Sequence, residues 1–391
     1  MLAYKGPVRK RNVTVDQNLL VVDDMPQIRD MIRVMLKKNG YDSLTFAESG
    51  KQALRYMTKQ SMNIVITDWN MPNMTGIELL KQIKSDPKLF SIPIIMISDE
   101  RAVDKVLYAV EEGTDGFLVK PFSENDLIKN INLVLAKSSL KDDMEQKIFE
   151  MRRLKLSKSY REALDLGFEL LKANNNQRVA LMTCECLYQV EEYDKAISMM
   201  ADTEGENRSS QQSNLLGKIH LGLGQYSQGI LALEQAVKMN PLNHDRKLDL
   251  AGAYFATGRV EDAEKIIQSI VNSRPTDLNL ISIAQIYLDQ DEMDKAGDYL
   301  KQTVDPIKES VHVFNNYAVA LRRANRMEDA TDIYLKCLNI DPDSDVLHYN
   351  VAVLYAKSNK LIEAKEAATN ALRLNPDNQH ARELLQKINP S

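Results

Sequence analysis

Ile64-Val65-Ile66-Thr67-Asp68-Trp69-Asn70-Met71-Pro72-Asn73-Met74-Thr75-Gly76 is an apolar run that ends in an aspartate and a polar turn. The run reads as a buried strand. A carboxylate at the end of such a strand is costly unless it meets a cation or serves a chemical purpose. The same arrangement recurs along the first third of the chain. Leu19-Leu20-Val21-Val22 ends in Asp23-Asp24, Ile94-Ile95-Met96-Ile97 ends in Ser98, and Gly116-Phe117-Leu118-Val119 ends in Lys120-Pro121. Strands are predicted near 18–23, 42–46, 63–68, 93–97 and 115–119. Helices are predicted near 26–39, 50–60, 76–86, 102–112 and 124–137. This alternation predicts an α/β doubly wound, five-stranded parallel sheet, in which ligands bind outside the C-terminal strand ends.

Asp23, Asp24, Asp68, Ser98, Phe117 and Lys120 resemble, in order and spacing, the CheY-like receiver domain of two-component response regulators, a flavodoxin-like fold. The resemblance covers residues 16–137 and implies a division of labour. Asp68 would be the phosphoacceptor, taking a phosphoryl group from a sensor histidine kinase or phosphotransfer protein. Mg²⁺ would be the cofactor, bound directly by Asp24, Asp68 and the backbone carbonyl of Asn70, with Asp23 acting largely through water. An ion of this kind takes oxygen ligands and relieves the mutual repulsion of three carboxylates. Lys120 and Ser98 would serve the phosphoryl oxygens, and a cis Lys120–Pro121 bond would place the lysine. Ser98 and Phe117 would form the switch, Phe117 turning inward as Ser98 moves toward phosphate. The sequence departs from the family at Asp99, where a small residue is usual. Asp99 and Glu100 either alter the lifetime of the phosphoryl group or simply face solvent.

From residue 144 the strand signal gives way to an all-helical repeat. Gly217, Ala251, Ala284, Ala318 and Ala352 recur every 33 or 34 residues. Ala163, Ala196, Gly229, Ala263, Ala296, Ala330 and Ala364 form a second register with the same spacing, and Pro241, Pro275, Pro342 and Pro376 fall near repeat ends. Small residues at this period suit two helices that cross closely. The pattern resembles the tetratricopeptide repeat. It predicts an all-α solenoid of seven helical hairpins over 144–378, namely 144–176, 177–209, 210–243, 244–276, 277–310, 311–344 and 345–378. A capping helix and tail follow at 379–391. Residues 1–15 read as a flexible arm carrying the basic cluster Arg9-Lys10-Arg11, and 138–143 as a helical linker without Pro or Gly.

Composition narrows the function. The chain has 391 residues, 44% hydrophobic and 27% charged, ordinary values for a globular protein. No apolar run approaches a membrane span, and the N-terminus shows no secretory pattern. Cys184, Cys186 and Cys337 are too few for a disulfide framework, so a cytoplasmic location is expected. Residues 1–140 hold 19 basic and 17 acidic residues, and the remainder 31 and 38. The acidic second part argues against a nucleic-acid output. His220, His244, His312, His348 and His380 all lie in the repeats without metal-ligand spacing. A histidine-kinase or phosphotransfer role is therefore unsupported, and no enzyme activity is expected beyond phosphoryl acceptance and slow autodephosphorylation.

Asn316 and Asn350 share one slot in consecutive repeats, with Arg322, Arg323 and Lys357 nearby. Together they are candidates for contacting an acidic peptide of an unknown protein partner. The Lys and Asn clamp of chaperone-tail binders does not fall in the right slots. The leading expectation is a response regulator that controls protein–protein interaction through its repeats. A phosphate sink that drains a kinase, and a constitutive scaffold localised by its receiver, are the alternatives.

Overall fold

Alternate residues along the central strands face opposite sides of one sheet, and both sides are buried. On one side Leu19, Val21, Ile64, Ile66, Ile95 and Ile97 pack with Ile32, Leu36, Leu127 and Ile131. On the other, Leu20, Val22, Val65, Ile94 and Met96 pack with Ala53, Leu79, Leu80 and Ala109. Strands buried on both faces belong to a parallel sheet covered by helices. The computed structural model describes residues 17–99, 103–139, 143–174, 176–202, 208–273, 275–303, 306 and 310–388. The N-terminal arm 1–15 with Arg9-Lys10-Arg11, Glu100 and the middle of the expected linker lie outside the described residues.

The elements of the first part run β1 (Leu19–Val22), α1 (Pro26–Lys38), β2 (Leu44–Ala47), α2 (Gly50–Lys59), β3 (Ile64–Asp68), α3 (Gly76–Ser85), β4 (Ile94–Ser98), α4 (Val103–Glu111), β5 (Gly116–Val119) and α5 (Glu124–Ser139). The sheet is five-stranded and parallel, in the order β2-β1-β3-β4-β5. β1 lies between β2 and β3, so the chain winds one way to β2 and the other way to β3. Such a switch point opens a crevice at the C-terminal strand ends. Asp68 pairs with Ile97 in register, and Ser98 with Val119. The polar ends of β3, β4 and β5 are thereby brought level.

All described elements after α5 are helical. The pairs are α6 (Asp143–Leu156) with α7 (Tyr160–Ala173), α8 (Gln177–Gln189) with α9 (Tyr193–Asp202), and α10 (Ser210–Gly222) with α11 (Tyr226–Met239). They continue as α12 (His244–Ala256) with α13 (Val260–Val271), and α14 (Asp277–Asp289) with α15 (Met293–Leu300). The last are α16 (Val311–Arg323) with α17 (Met327–Ile340), α18 (Asp345–Lys357) with α19 (Leu361–Leu374), and then α20 (Gln379–Ile388). Small residues sit where the helices of a pair cross. A Cβ on Gly217 would lie 3.0 Å from the carbonyl oxygen of Gly229, and one on Gly229 would lie 3.1 Å from that of Gly217. Each intra-pair turn carries a residue at positive φ, namely Lys158, Glu191, Gly224, Gly258, Asp291, Asn325 and Asn359. This left-handed residue reverses the chain after the first helix. The composition of these turns hid that second periodicity, because only two of the seven use glycine.

The chain divides into two compact units, residues through Asn243 and residues from His244. The first unit holds the sheet and the helices through α11. In it α6 faces two ways. Ile148 and Met151 enter the core of the helical pairs, while the Phe149 ring stacks on Phe90 at 4.6 Å and the Arg152 guanidinium lies 5.2 Å above Phe90. Among the described residues no helix is long and apolar enough to cross a membrane.

Candidate functional site

Asp68 closes β3 and is 4% exposed. Its Oδ1 accepts a 2.7 Å hydrogen bond from Lys120 Nζ, and its Oδ2 accepts one of 2.8 Å from the Asn70 amide. Lys120 follows β5 across a cis Lys120–Pro121 bond. The lysine backbone N–H donates to the Ser98 carbonyl at 2.9 Å, and the Trp69 N–H donates to the Ile97 carbonyl at 2.7 Å. The β4 end is thus stitched to both neighbours. Gly76 completes the backbone frame, donating to the Trp69 carbonyl at 2.9 Å. Thr75 and Glu78 then start α3 with a reciprocal capping box.

Asp23 follows β1 and is 1% exposed. Its Oδ1 accepts from the Met25 amide at 2.8 Å, and Arg29 donates to its backbone carbonyl at 2.6 Å. Its Oδ2 is buried without a hydrogen-bond partner, 3.6 Å from Lys120 Nζ. Burial pushes the Asp23 carboxyl up from its ordinary value; the Met25 N–H and Lys120 oppose this, and Asp68 and Asp24 reinforce it. Burial pulls Lys120 down, but the hydrogen bond and charge of Asp68, with Asp23 and Asp99, outweigh it and leave the ammonium favoured. Lys120 is therefore a fixed positive charge among carboxylates.

Asp24 is half-buried beside Asp23. Ser98 is fully buried at the end of β4. Asp99 is exposed, with Oδ1 3.9 Å from Lys120 Nζ. Among the described residues, no three His, Cys, Asp or Glu side chains are gathered to enclose a metal ion by themselves. The donors at this edge are hard carboxylate and carbonyl oxygens, and one buried carboxylate oxygen lacks a donor. Such a set fits a hydrated Mg²⁺, which keeps several waters and takes few protein ligands.

Three aromatic rings connect this edge to α4. Trp69 is 8% exposed and meets Phe117 edge-on at 6.5 Å and Tyr108 edge-on at 6.3 Å. Lys105 Nζ lies 5.6 Å from the Trp69 ring. The expected switch residue Phe117 is half-buried against the core beneath α3 and α4. Sequence reasoning missed Tyr108, whose i to i+3 spacing with Lys105 on a helix was the available signal.

The repeat candidates divide. Asn350 is 8% exposed, and its Nδ2 donates to Asn315 Oδ1 at 2.8 Å. Its backbone carbonyl accepts from Arg322 at 3.3 Å. Asn316 is exposed and donates to Gln285 Oε1 at 3.3 Å. Asn350 and Arg322 thus join α18 to α16, and Asn316 joins α16 to α14, so both amides take part in bonds between helices. Arg323 and Lys357 are exposed. Cys184, Cys186 and Cys337 are buried free thiols.

Family comparisons agree with the strand-end pattern. Residues 19–132 match the model of the response regulator receiver domain. Residues 220–282, 311–344 and 346–378 match tetratricopeptide-repeat models, and 157–236 match a model described as anaphase-promoting complex, cyclosome, subunit 3. The chain is 34% identical over 119 residues to the chemotaxis protein CheY-3 of Vibrio cholerae, covering 30% of this chain and 92% of that one. It is 34% identical over 116 residues to the chemotaxis protein CheY of Pseudomonas aeruginosa, covering 30% and 94%. A solved receiver domain of a Francisella response regulator is 30% identical and covers 32% of this chain and 99% of its own, with a TM-score of 0.30. The chain belongs to the response regulator receiver family. Its CheY-like receiver lies at the N-terminus and is followed by tetratricopeptide repeats.

Proposed function

We propose that Asp68 accepts a phosphoryl group from a phosphohistidine of a sensor histidine kinase or phosphotransfer protein, and that the repeats carry the output by binding a protein partner. The observation that carries this reading is the buried Asp68 carboxylate on Lys120, beside an Asp23 Oδ2 that accepts no hydrogen bond. An Asp68 oxygen attacks phosphorus, the P–N bond to the donor imidazole breaks with its electron pair on nitrogen, and an aspartyl phosphate forms. Phosphoryl transfer depends mainly on positioning and charge neutralisation. Lys120 supplies a fixed ammonium and Ser98 a hydroxyl for the phosphoryl oxygens. Asp23, Asp24, Asp68 and the Asn70 carbonyl would hold Mg²⁺, which supplies the remaining positive charge when bound. Ser98 and Phe117 are the switch in this reading.

The test is label transfer from autophosphorylated histidine kinases, assayed one at a time. Label should pass to the native chain in Mg²⁺ and not to Asp68→Asn. Transfer to both proteins alike overturns the assignment. A second reading, the phosphate sink, draws support from Asp99, whose carboxylate competes for Lys120. The same experiment separates the two: a sink loses label within the time of transfer, and an output regulator keeps it.

A further inference from the structure

The backbone at the C-terminal end of α4 is capped locally, the Thr114 N–H donating to the Ala109 carbonyl at 2.9 Å, but its own helix does not offset the charge there. Its last turn holds no basic residue. Glu111 and Glu112 put two carboxylates where the last helical carbonyls already carry negative partial charge. Gly113, at φ 96°, then turns the chain away. Besides Lys81 of α3, donors from α10 and from the segment after α11 compensate. Ser210 and Asn240 donate to the two carboxylate oxygens of Glu111. Gln211 donates to the Glu111 backbone carbonyl at 3.1 Å, and Asn243 donates to Glu112 Oε1 at 3.1 Å. Ser210, Asn240 and Asn243 are 3%, 1% and 5% exposed. Leu242 packs against the receiver core that contains Tyr108 and Ala109. All of these residues lie in the unit that ends at Asn243. Buried neutral donors aimed at both oxygens of one carboxylate form a specific seat, because charge-assisted hydrogen bonds are the stronger kind.

The other end of this contact leads to Asp68. Tyr108 lies one helical turn before Glu111 and meets Trp69, the neighbour of Asp68, edge-on. Lys81 Nζ on α3 lies 5.5 Å from the Tyr108 ring and 3.7 Å from Glu112 Oε1. Phe117 touches the same Trp69. An inward turn of Phe117 would change its contact with Trp69, whose ring also meets Tyr108, one helical turn before Glu111.

We propose that the third helical pair is a docking site for the Glu111–Glu112 end of α4, and that this docking is a latch holding the receiver in its unphosphorylated arrangement. The inference rests on Asp68 being the acceptor. Coupling is reciprocal: the factor by which the latch weakens binding of a phosphoryl mimic is the factor by which the mimic weakens the latch.

The test is a beryllofluoride titration in Mg²⁺ of the full chain, read by the fluorescence of Trp69, the sole tryptophan. Native protein is compared with Glu111→Gln, Asn240→Ala and the double variant. Each single variant should bind the mimic at least about 5-fold tighter. The double variant should bind no tighter than the singles, because both substitutions open one contact. Amide hydrogen exchange in residues 103–112 gives a second readout. It should speed up in each variant, and in the native chain once the mimic is bound. Equal mimic affinity in all four proteins overturns the latch alone. Unchanged exchange in the variants overturns the docking itself. No mimic binding by the native chain removes the acceptor reading and the latch with it.

Discussion

Substituting Gly76 by alanine should damage the acceptor site without touching any charged group. A Cβ built on Gly76 lies 2.0 Å from the Asp68 carbonyl oxygen, 2.9 Å from the Asp68 carbonyl carbon and 3.1 Å from Met96 Sδ. Carbon and oxygen approach no closer than about 3.3 Å even in weak hydrogen bonds, so roughly 1.3 Å of backbone must give way. The yielding atoms are the carbonyl carbon and oxygen of Asp68, joined to the Cα that carries the proposed acceptor side chain. Overpacking of this kind costs about 1–3 kcal/mol. A displacement of about 1 Å at a reacting group costs on the order of 100-fold in rate. Gly50 is the control. A Cβ there would lie 2.4 Å from Met74 Sδ and 2.7 Å from Met74 Cγ, the flexible part of a side chain that can swing aside. Gly76→Ala should thus unfold at lower urea, followed by Trp69 fluorescence, and should accept phosphate from a small phosphodonor about 100-fold more slowly. Gly50→Ala should lose less than about 1.5 kcal/mol and react near the native rate. Native-like stability and rate in Gly76→Ala, or equal losses in the two variants, would refute the reasoning.

Three further outcomes follow from burial and backbone geometry. Asp23→Asn keeps the bond from the Met25 amide but removes a buried carboxylate whose pKa burial raises. Above that raised value the ionised group costs stability, and its contribution declines as pH rises from 3.8 through the folded value. The variant should therefore be more stable at pH 7 by about 1 kcal/mol in urea unfolding, yet respond more weakly to Mg²⁺ in a Trp69 titration. Burial pushes the Cys184 thiol up to about 12 and those of Cys186 and Cys337 up to about 11, from an ordinary 9.0. In alkali the unfolded chain loses these protons first, so their contribution to stability is intact below pH 9 and lost as pH rises through the folded values. Thiol reagents at pH 8 should label these cysteines in urea and spare them in the native chain. Finally, Lys158 and Glu191 hold φ of 61° and 60°, a region costly for residues with a Cβ. Lys158→Gly and Glu191→Gly should each raise the thermal midpoint, by about 1 kcal/mol in stability.

The side chains gathered at the receiver edge were legible because they sit at strand ends. An apolar run followed by Asp, Ser or Lys marks both a strand and the end where it emerges. Asp23, Asp68, Ser98 and Lys120 could therefore be found without knowing which strands were neighbours. The repeats were legible through the close crossings that small residues permit, visible in the mutual approach of Gly217 and Gly229. What stayed hidden depends on partners distant in sequence. Glu111 looks like a solvated helix end until Ser210 and Asn240, 99 and 129 residues away, are placed on it. Asn350 occupies the expected slot, but its amide is turned to Asn315. A slot fixes which helix a side chain is on; only packing fixes what it faces.

Asp68 as the acceptor is tested most directly by intact mass. The full chain is incubated with a small phosphodonor, with Mg²⁺ or with chelator, beside Asp68→Asn. The native chain should gain the mass of one phosphoryl group in Mg²⁺ and none in chelator, and the variant should gain none in either. A variant that gains the same mass at the same rate would contradict the account.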